Sequence, residues 1–509
     1  MRLSSASASS APNFSIRLLT KPTLASSIWS GFRIFFILHL LLCNVLVGAC
    51  SWKGRDLLSP AMISPSVPSR VCSSSCNLQQ LSGLFRQGVC FSSRDALSFS
   101  VLGHSLPCSA SKPRKSALHT TSSRSFHSSP GRFSNPSSSS ARISYKVAVS
   151  STGKGRRFHP LKNVYQFDPA KSDMIGVSKD PSPSVRKRNR PDSGEDAFFV
   201  SRIGSQVSGH PDTDGAVAFA VADGVGGWTE SRVDPADFSH GLCGYMAQSA
   251  LAWDSPADRL RPKQLLQAGY DQVVKDPTIK AGGSTASVGV GLTDGRVELA
   301  NLGDSGSVLL RLAAVHHYSV PQTHGFNTPY QLSVIPPKMR AQASVFGGSF
   351  LEDTPQDAAV TNVQMQHGDV LILATDGVFD NLNNQDILKI VTTRMVMTGA
   401  WTATEDSGVK ISREIASLTV PGGLASAFPP PKSADKEHET LESVYTLQSL
   451  LAASIAGEAK AASMDFRRDG PFAKEAQRYY PGDYYRGGKV DDICALVMIA
   501  VDENQVANE

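Results

Sequence analysis

The stretch "VADGVGGW" (residues 221–228) ends an apolar run on an acid, Asp223, and continues into a turn made largely of glycine. The stretch "LATDGVFDN" (373–381) repeats this ending at Asp376. Three further acids, Asp196, Asp304 and Asp491, also lie beside apolar runs or glycine turns. Because apolar strands exclude charge from their buried interiors, this pattern predicts strands that carry carboxylates at their ends.

Short apolar runs recur between these acids, and several are apolar on consecutive residues and bounded by Gly or Asp. Such runs predict strands buried on both faces. They lie at residues 197–203, 216–222, 285–292, 296–303, 307–312, 369–375 and 493–501. Helical spacing marks residues 236–252, 256–275, 384–397 and 440–464. Strands and helices come in separate blocks, which favours an α+β fold with two packed sheets and helices outside.

The charge of the chain is divided unevenly along its length. Residues 1–140 contain 14 Lys and Arg but only two acids, Asp56 and Asp95, so their net charge is +12; the remainder carries 5 − 12 = −7. A mildly acidic body argues against nucleic-acid binding. Only two of the cysteines, Cys243 and Cys494, lie in this body, which is typical of a reducing compartment.

The first part of the chain is rich in Ser and Arg, which is typical of an organellar transit segment. Residues 34–50 are apolar apart from His39 and Asn44. This run is at the short limit for a membrane span, which takes about 20 residues. We expect mitochondrial import, with or without a membrane stop at 34–50; secretory entry and another membrane anchor are the alternatives.

A single Asp-Gly pair is an ordinary turn. Five acids at the ends of apolar strands require another explanation, because crowded carboxylates repel each other and the sequence places few Lys or Arg nearby. Mg²⁺ and Mn²⁺ prefer such oxygen ligands, and glycine after the acid lets a backbone carbonyl approach a cation. Two metals held by shared carboxylates make water reactive and neutralise phosphoryl charge, which points to phosphate-ester hydrolysis.

Six motifs follow one another along the chain: "GEDA" (194–197), "VADGVGGW", "GGSTA" (282–286), "NLGDSGSVLLR" (301–311), "LATDGVFDN" and "VDDICALVMI" (490–499). They occur in the order found in metal-dependent Ser/Thr protein phosphatases of type 2C, and this body resembles that family over roughly residues 155–503. The stretch "HGFNTPYQLS" (324–333) is similar to the mitochondrial branch, whose members carry a presequence and act on matrix proteins, including ones tied to coenzyme Q synthesis.

The resemblance implies catalytic and metal-binding roles for Asp223, Asp376 and Asp491. Asp223 would bridge two metals, while Asp376 and Asp491 would complete the shell of one of them. The Gly224 carbonyl would help to hold the other metal. Asp492 follows Asp491 directly and is expected to point the other way, because side chains alternate along an extended segment.

The resemblance also implies that Glu195 and Asp196 orient metal-bound water and that Asp304 holds a looser third metal. Two positions depart from many relatives. Val225 stands where many have a His that protonates the leaving group, so the general acid is unassigned. Arg190 and Arg188 lie near the place of a phosphate-gripping Arg, but a solvated basic run is the favoured interpretation, and the phosphate-binding residue is unknown.

The resemblance and the pattern together predict an α+β fold, with two antiparallel sheets packed as a sandwich and antiparallel helix pairs on both outer faces. The predicted domains are a mostly disordered targeting leader at 1–145 and a catalytic domain at 155–505 with a helical insert at about 400–480. The implied activity uses two or three Mn²⁺ or Mg²⁺ ions to dephosphorylate phosphoserine and phosphothreonine in mitochondrial proteins. The alternative is a catalytically silent module of the same fold that binds phosphoproteins or scaffolds a complex.

Overall fold

A computed structural model describes residues 141–204, 215–345, 350–405, 408–425, 445–482 and 484–507. The described residues all belong to the second of two units of the chain, Ser125–Glu509. The predicted leader up to residue 140 and its segment 34–50 lie outside the described residues.

Two six-stranded sheets form the centre of the second unit, and every strand pair in them is antiparallel. The first, sheet A, has the order β10-β9-β15-β18-β1-β2. Its strands are β1 (Ile143–Thr152), β2 (Val164–Phe167), β9 (Gly306–Arg311), β10 (Ala314–Tyr318), β15 (Val370–Ala374) and β18 (Ile493–Asp502).

The second, sheet B, has the order β14-β8-β7-β5-β4-β3. Its strands are β3 (Met174–Ile175), β4 (Asp196–Arg202), β5 (Val217–Asp223), β7 (Ala286–Gly291), β8 (Arg296–Leu302) and β14 (Ala359–Gln364). Three small two-stranded sheets pair β6 (Gly282–Ser284) with β13 (Leu332–Val334), β11 (Thr323–Gly325) with β12 (Thr328–Pro329), and β16 (Trp401–Ala403) with β17 (Val409–Ile411).

Ten helices accompany the sheets in the described part of the chain. They are α1 (Pro183–Arg188), α2 (Pro235–Leu251), α3 (Pro262–Lys275), α4 (Pro337–Val345), α5 (Asp376–Phe379), α6 (Asn384–Met397), α7 (Ile415–Leu418), α8 (Leu447–Ser463), α9 (Pro471–Tyr479) and α10 (Glu503–Ala507). Helix α6 begins with a capping box, in which Asn383 Oδ1 accepts from the Gln385 and Asp386 amides at 2.9 and 3.0 Å. The helical spacing at 384–397 is therefore confirmed.

Three apolar clusters hold these elements together. One lies between the sheets and joins Val147, Leu496 and Met498 of sheet A to Phe198 and Phe219 of sheet B. A second joins sheet A to α6 and α8, and a third joins sheet B to α2 and α3. The consecutive apolar residues of β4, β5, β15 and β18 follow from this arrangement, because both faces of these strands are covered. The predicted α+β class with antiparallel sheets is confirmed.

The structure extends the folded unit beyond the predicted boundary at residue 155. Strand β1 pairs with β18 along its whole length, from Ile143 opposite Asp502 to Thr152 opposite Ile493. Strand β1 is not among the strands predicted from the sequence, because its alternating Ser, Tyr and Lys residues make a weak apolar run. Within the predicted helical insert at about 400–480, the described residues form the β16–β17 hairpin as well as helices, and α8 packs against the core sheet.

Candidate active site

Two of the predicted carboxylates come from neighbouring strands of sheet B. Strand β4 begins at Asp196 and β5 ends at Asp223, and the two residues are directly opposite each other in the ladder. The Asp223 carbonyl accepts hydrogen bonds from the Thr285 amide at 2.9 Å and from Ser284 Oγ at 2.8 Å. These bonds fix the backbone of Asp223 and leave its carboxylate to the site.

Two more carboxylates come from sheet A. Strands β15 and β18 are antiparallel, with Ala374 opposite Ala495, so the end of β15 and the beginning of β18 lie at the same end of the sheet. Asp376 follows β15 and opens α5, while Asp491 lies two residues before the first residue of β18. The topology therefore brings these two acids together, although more than a hundred residues separate them.

Thr375 connects the two sheets at this point. Its Oγ1 donates a hydrogen bond to Asp196 Oδ2 at 2.8 Å and accepts one from the Cys494 amide at 3.1 Å. Thr375 is fully buried, so both bonds are shielded from water. The role of Thr375 is not visible in the sequence, because a threonine before an Asp-Gly turn carries no signal that distinguishes it from an ordinary turn residue.

Asp491 and Asp492 point to different partners, in agreement with their predicted alternation. The Asp492 carboxylate accepts hydrogen bonds from the backbone amides of Lys154 and Glu195, the latter at 2.8 Å. It packs against Gly194, whose φ of +72° and lack of a side chain leave the necessary room. Asp492 thus fixes the loop that carries Glu195, while Asp491 faces the other acids.

Two residues that the sequence did not point to, Asp380 and Lys489, also lie in the site. The carboxylate oxygens of Asp376, Asp380 and Asp491 lie within 4.8 Å of one another, a spacing that can hold a metal ion. The ammonium group of Lys489 lies among them, at 2.6 Å from Asp376 Oδ2, 2.6 Å from Asp380 Oδ2 and 3.0 Å from Asp491 Oδ2. The expectation that few basic side chains lie near the acids was therefore wrong for Lys489.

The concentration of negative charge shifts the pKa values of the site. Burial, together with the charges of neighbouring acids, raises the pKa of Asp196, Asp223 and Asp380 well above the ordinary aspartate value. For the same reasons the pKa of Asp304 rises to about 7 and that of Glu195 to about 7. The charges of neighbouring acids contribute to each of these shifts, in keeping with the arrangement of the carboxylates at the ends of the two sheets.

Lys489 responds in the opposite sense. Burial by itself would lower its pKa, but the carboxylates of Asp376, Asp380 and Asp491 outweigh that effect and raise it above the ordinary lysine value. The lysine therefore remains positively charged throughout the neutral range. One buried ammonium cannot neutralise all of these carboxylates once they are ionised.

The donor set fits divalent cations. Asp196 Oδ1 and Asp304 Oδ1 are buried, and neither has a hydrogen-bond partner among the described residues. Buried carboxylate oxygens without partners are costly, and binding of a hard cation would satisfy them. A side chain at Gly224 would collide with the carbonyls of Glu195 and Pro235, so the backbone here is as close to its neighbours as glycine allows.

Asp304 lies at the tight turn between β8 and β9, at the border between the acids and a cavity of about 420 Å³. Asp380 lines the same cavity, together with the aromatic rings of Phe326, Phe379 and Phe472. Asp304 and Asp380 therefore place this cavity beside the acidic cluster.

Arg190, Val225 and Trp228 lie near the predicted motifs but are engaged in contacts of their own. Arg190 is engaged with the first turn of α2, at 2.7 Å from Asp237 Oδ1. Val225 caps a short 3-10 helix and packs near Trp228, which is buried and stacks on Phe350 with 6.0 Å between ring centroids. These contacts give Arg190 and Trp228 structural partners.

Comparison with known proteins gives the same class. The Protein phosphatase 2C family profile matches residues 205–409. Protein phosphatase 2C homolog 7, mitochondrial, of Saccharomyces cerevisiae is 34% identical over 275 residues, which cover 53% of this chain and 74% of that protein. The human Protein phosphatase PTC7 homolog is 37% identical over 200 residues, covering 38% of this chain and 58% of that one.

Among solved structures, the photosystem II phosphatase PBCP is 24% identical with a TM-score of 0.40, covering 64% of this chain and 98% of that chain. On the evidence of the sequence relatives, the chain belongs to the protein phosphatase 2C family. It is a metal-dependent protein serine/threonine phosphatase of the kind represented by the mitochondrial yeast homologue, and its substrates are phosphoproteins.

Proposed function

We propose that this phosphatase hydrolyses phosphoserine and phosphothreonine esters in mitochondrial proteins at the cluster formed by the ends of the two sheets. The observation that supports this most directly is the convergence of Asp196 and Asp223 from sheet B with Asp376 and Asp491 from sheet A. These residues come from distant parts of the chain. The basic side chains around them compensate only part of the negative charge that the ionised carboxylates would carry.

In this proposal the cations are two or three Mn²⁺ or Mg²⁺ ions. Their ligands are Asp196, Asp223, Asp304, Asp376, Asp491 and the carbonyl of Gly224. When bound, divalent ions lower the pKa of water and neutralise charge on a phosphoryl group under in-line attack. Asp223, Asp376 and Asp491 are the residues on which catalysis depends.

The protein itself orients the reactants. In this proposal Glu195 and Asp196 orient the attacking water. The Glu195 backbone is held by Asp492 on its amide side and by Ser239 Oγ, 2.6 Å from its carbonyl, on the other. Val225 has no proton to give, so the group that protonates the leaving serine or threonine oxygen is unassigned.

The basic leader supports the mitochondrial part of the proposal. Its composition and the mitochondrial yeast relative both favour import, and the leader of this proposal ends before β1, which begins at Ile143. Proteins of coenzyme Q synthesis are one proposed substrate group. None of the helices within the described residues combines the length and hydropathy needed to span a bilayer.

Localisation can be tested with the tagged full-length chain and a variant that lacks residues 1–140. We expect the full chain in mitochondria and the variant outside them. Carbonate extraction of the imported protein decides the role of residues 34–50, because a retained membrane segment stays in the pellet and a cleaved leader releases soluble protein. Delivery of the truncated variant to mitochondria would contradict the proposal.

The activity can be tested with the purified full-length chain, p-nitrophenyl phosphate and a phosphothreonine peptide. We expect chelation to abolish phosphate release and added Mn²⁺ or Mg²⁺ to restore it. No turnover at any manganese concentration by folded protein would favour the silent phosphoprotein-binding module instead. Activity that survives prolonged chelation would contradict the metal-dependent mechanism.

A further inference from the structure

We propose that the aromatic cavity beside the acidic cluster binds an arginine side chain of the phosphoprotein substrate, from a residue within about three positions of the phosphoserine or phosphothreonine. The inference rests on the proposed function, because it assigns the cavity to the substrate of that site. It adds the kind of sequence around the phosphoresidue that the enzyme would prefer.

The cavity borders the catalytic acids. Asp304 and Asp380 line it, and a carboxylate oxygen of Asp380 lies within 4.8 Å of one from Asp376 and one from Asp491. An extended peptide advances about 3.3 Å per residue. A phosphoresidue held at the acids would therefore bring the side chains of its near neighbours to the cavity.

The walls of the cavity are largely aromatic. Phe326, in the turn between β11 and β12, packs on Phe472 and Tyr479 of α9, with ring centroids 5.1 and 5.5 Å apart. All three residues line the cavity, and Phe379 adds a fourth ring. Segments that are far apart in the sequence thus build one aromatic surface next to the site.

Two of these rings already lie close to cations. Lys489 Nζ is 5.0 Å from the Phe472 centroid, and Arg478 Cζ is 5.4 Å from the Tyr479 centroid. The face of an aromatic ring attracts a cation, and a planar guanidinium can also stack flat on it. The rings are therefore chemically suited to an arginine.

The charged residues that line the cavity are all acids. Among the described residues around it these are Asp304, Asp380 and Glu475, and no Lys, Arg or His is present. Asp304 is assigned to the cations in the proposed function, and Asp380 Oδ2 lies 2.6 Å from Lys489 Nζ. Glu475 is paired with Arg478 of the same helix, whose side chain is 71% exposed. Because such surface pairs contribute little, Glu475 can exchange this partner for a substrate cation.

An apolar side chain is the alternative occupant of the cavity. It would pack on the rings, but it would also remove water from the acids without replacing the lost hydrogen bonds. An arginine satisfies both kinds of neighbour, since its aliphatic stem packs on apolar surface while its charged end stays beside carboxylates. The lining therefore favours arginine.

The experiment uses the purified full-length chain with Mn²⁺ at an ionic strength of about 0.15 M and a set of labelled phosphothreonine peptides. Each of the three positions on either side of the phosphothreonine carries arginine, citrulline or leucine in turn. Citrulline keeps the shape of arginine and lacks its charge. We expect kcat/KM for the arginine peptide to exceed that for the citrulline and leucine peptides by about tenfold at one or more positions.

Variants at Glu475 place the preference in the cavity. Glu475→Gln should lower the ratio of arginine to citrulline by about threefold, and Glu475→Lys should make glutamate better than arginine at the same position. Glu458→Gln is the matched control, because Glu458 is an exposed residue of α8 that does not line the cavity. Its ratio should equal that of the unmodified chain.

Equal kcat/KM for arginine and citrulline at all positions would overturn the inference, and so would a preference for leucine or an unchanged ratio in folded Glu475→Gln. The comparison of arginine with citrulline uses the unmodified chain, so it stands whether or not the variants fold. p-Nitrophenyl phosphate has no neighbouring side chain and reports the proposed function alone. If the chain hydrolyses neither this compound nor the peptides, the proposed function fails, and fluorescence anisotropy of the intact peptides then measures the arginine preference as a ratio of Kd values.

Discussion

Thr375 and Asp196 lie 179 positions apart and are joined by a hydrogen bond of 2.8 Å between Thr375 Oγ1 and Asp196 Oδ2. Asp196 begins β4 of sheet B, and Thr375 follows β15 of sheet A. The same hydroxyl accepts the Cys494 amide of β18. One buried side chain therefore sets the spacing between the two sheets at the point where their carboxylates meet.

Replacing Thr375 by valine should reduce both stability and activity, because it leaves the Cys494 amide and Asp196 Oδ2 without this partner. Leaving buried polar groups unpaired costs about 1–3 kcal/mol of unfolding free energy. Urea unfolding and phosphate release measure the two effects. Thr375→Ser keeps the hydroxyl and serves as the control. If valine and serine variants behave alike, the hydrogen bond does not organise the site.

Asp223→Asn or Asp376→Asn should reduce turnover by more than tenfold, since each removes a carboxylate that we assign to the cations. Circular dichroism establishes that the variants fold, and a phosphopeptide assay with Mn²⁺ measures the loss. Asp258→Asn, at an exposed 3-10 turn, is the control and should retain activity. More than a tenth of the original activity in either site variant would count against the assignment.

Divalent cations should stabilise the fold more at about pH 8 than at about pH 5. The pKa of Asp304 is raised from 3.8 to about 7 and that of Glu195 from 4.5 to about 7. In metal-free protein, these groups contribute stability that is present below their unfolded pKa values and is lost as the pH rises to about 7. Cations bind the ionised carboxylates. At alkaline pH they therefore offset the loss of stability that ionisation causes, whereas in acid they compete with protons for the same oxygen atoms.

Melting temperatures with and without Mn²⁺ at the two pH values measure this linkage, with ionic strength matched by NaCl. Comparing each pair at one pH removes the effects of acids elsewhere in the chain. An increase in melting temperature that is equal at both pH values, or larger in acid, would contradict cation binding at these carboxylates.

Gly377→Ala should destabilise the protein, because a Cβ there would collide with the Asp492 carbonyl, which is backbone and cannot move aside alone. The expected result is a lower urea midpoint and reduced activity, since Asp376 and Asp491 flank the collision. Gly244→Ala is the control: it lies within α2 with open space around its Cβ position, and should be neutral or stabilising by about 0.5–1 kcal/mol. Equal stability of the two variants would show that Gly377 is not tightly packed.

Deleting residues 1–152 should prevent folding, while deleting residues 1–140 should not. Strand β1 fills the place between β18 and β2 in sheet A, and its loss would expose one edge of β18. Soluble yield and cooperative unfolding distinguish the two truncations. A stable, active protein without residues 1–152 would show that β1 is dispensable.

The strands nearest the site could be predicted because their sequences carry the signal themselves. The run ending at Asp223 and the run ending at Asp376 are apolar on consecutive residues, and both became strands buried on both faces. Strand β1 escaped prediction because buried Ser150, Ser151 and Thr152 make its end look like a loop. Their burial depends on β18, which is more than three hundred residues away.

Only part of the candidate site could be predicted from the sequence. Acids at strand ends are visible in the sequence, whereas the Lys489 position depends on how Asn381 holds a distant backbone. Asp380 belongs to the stretch "LATDGVFDN" (373–381), but only the turn of α5 brings it beside Asp376. Asp380 and Lys489 were missed because their importance comes from three-dimensional proximity, which neither composition nor periodicity records.

The most direct test of the account is an anomalous-difference map at the manganese edge, from crystals of the protein grown with Mn²⁺. We predict two peaks about 3.5–4 Å apart that share Asp223, with Asp376 and Asp491 on one of them. Manganese peaks elsewhere on the protein, or none among these carboxylates at saturating Mn²⁺, would contradict the claim that the two sheets converge to hold catalytic cations.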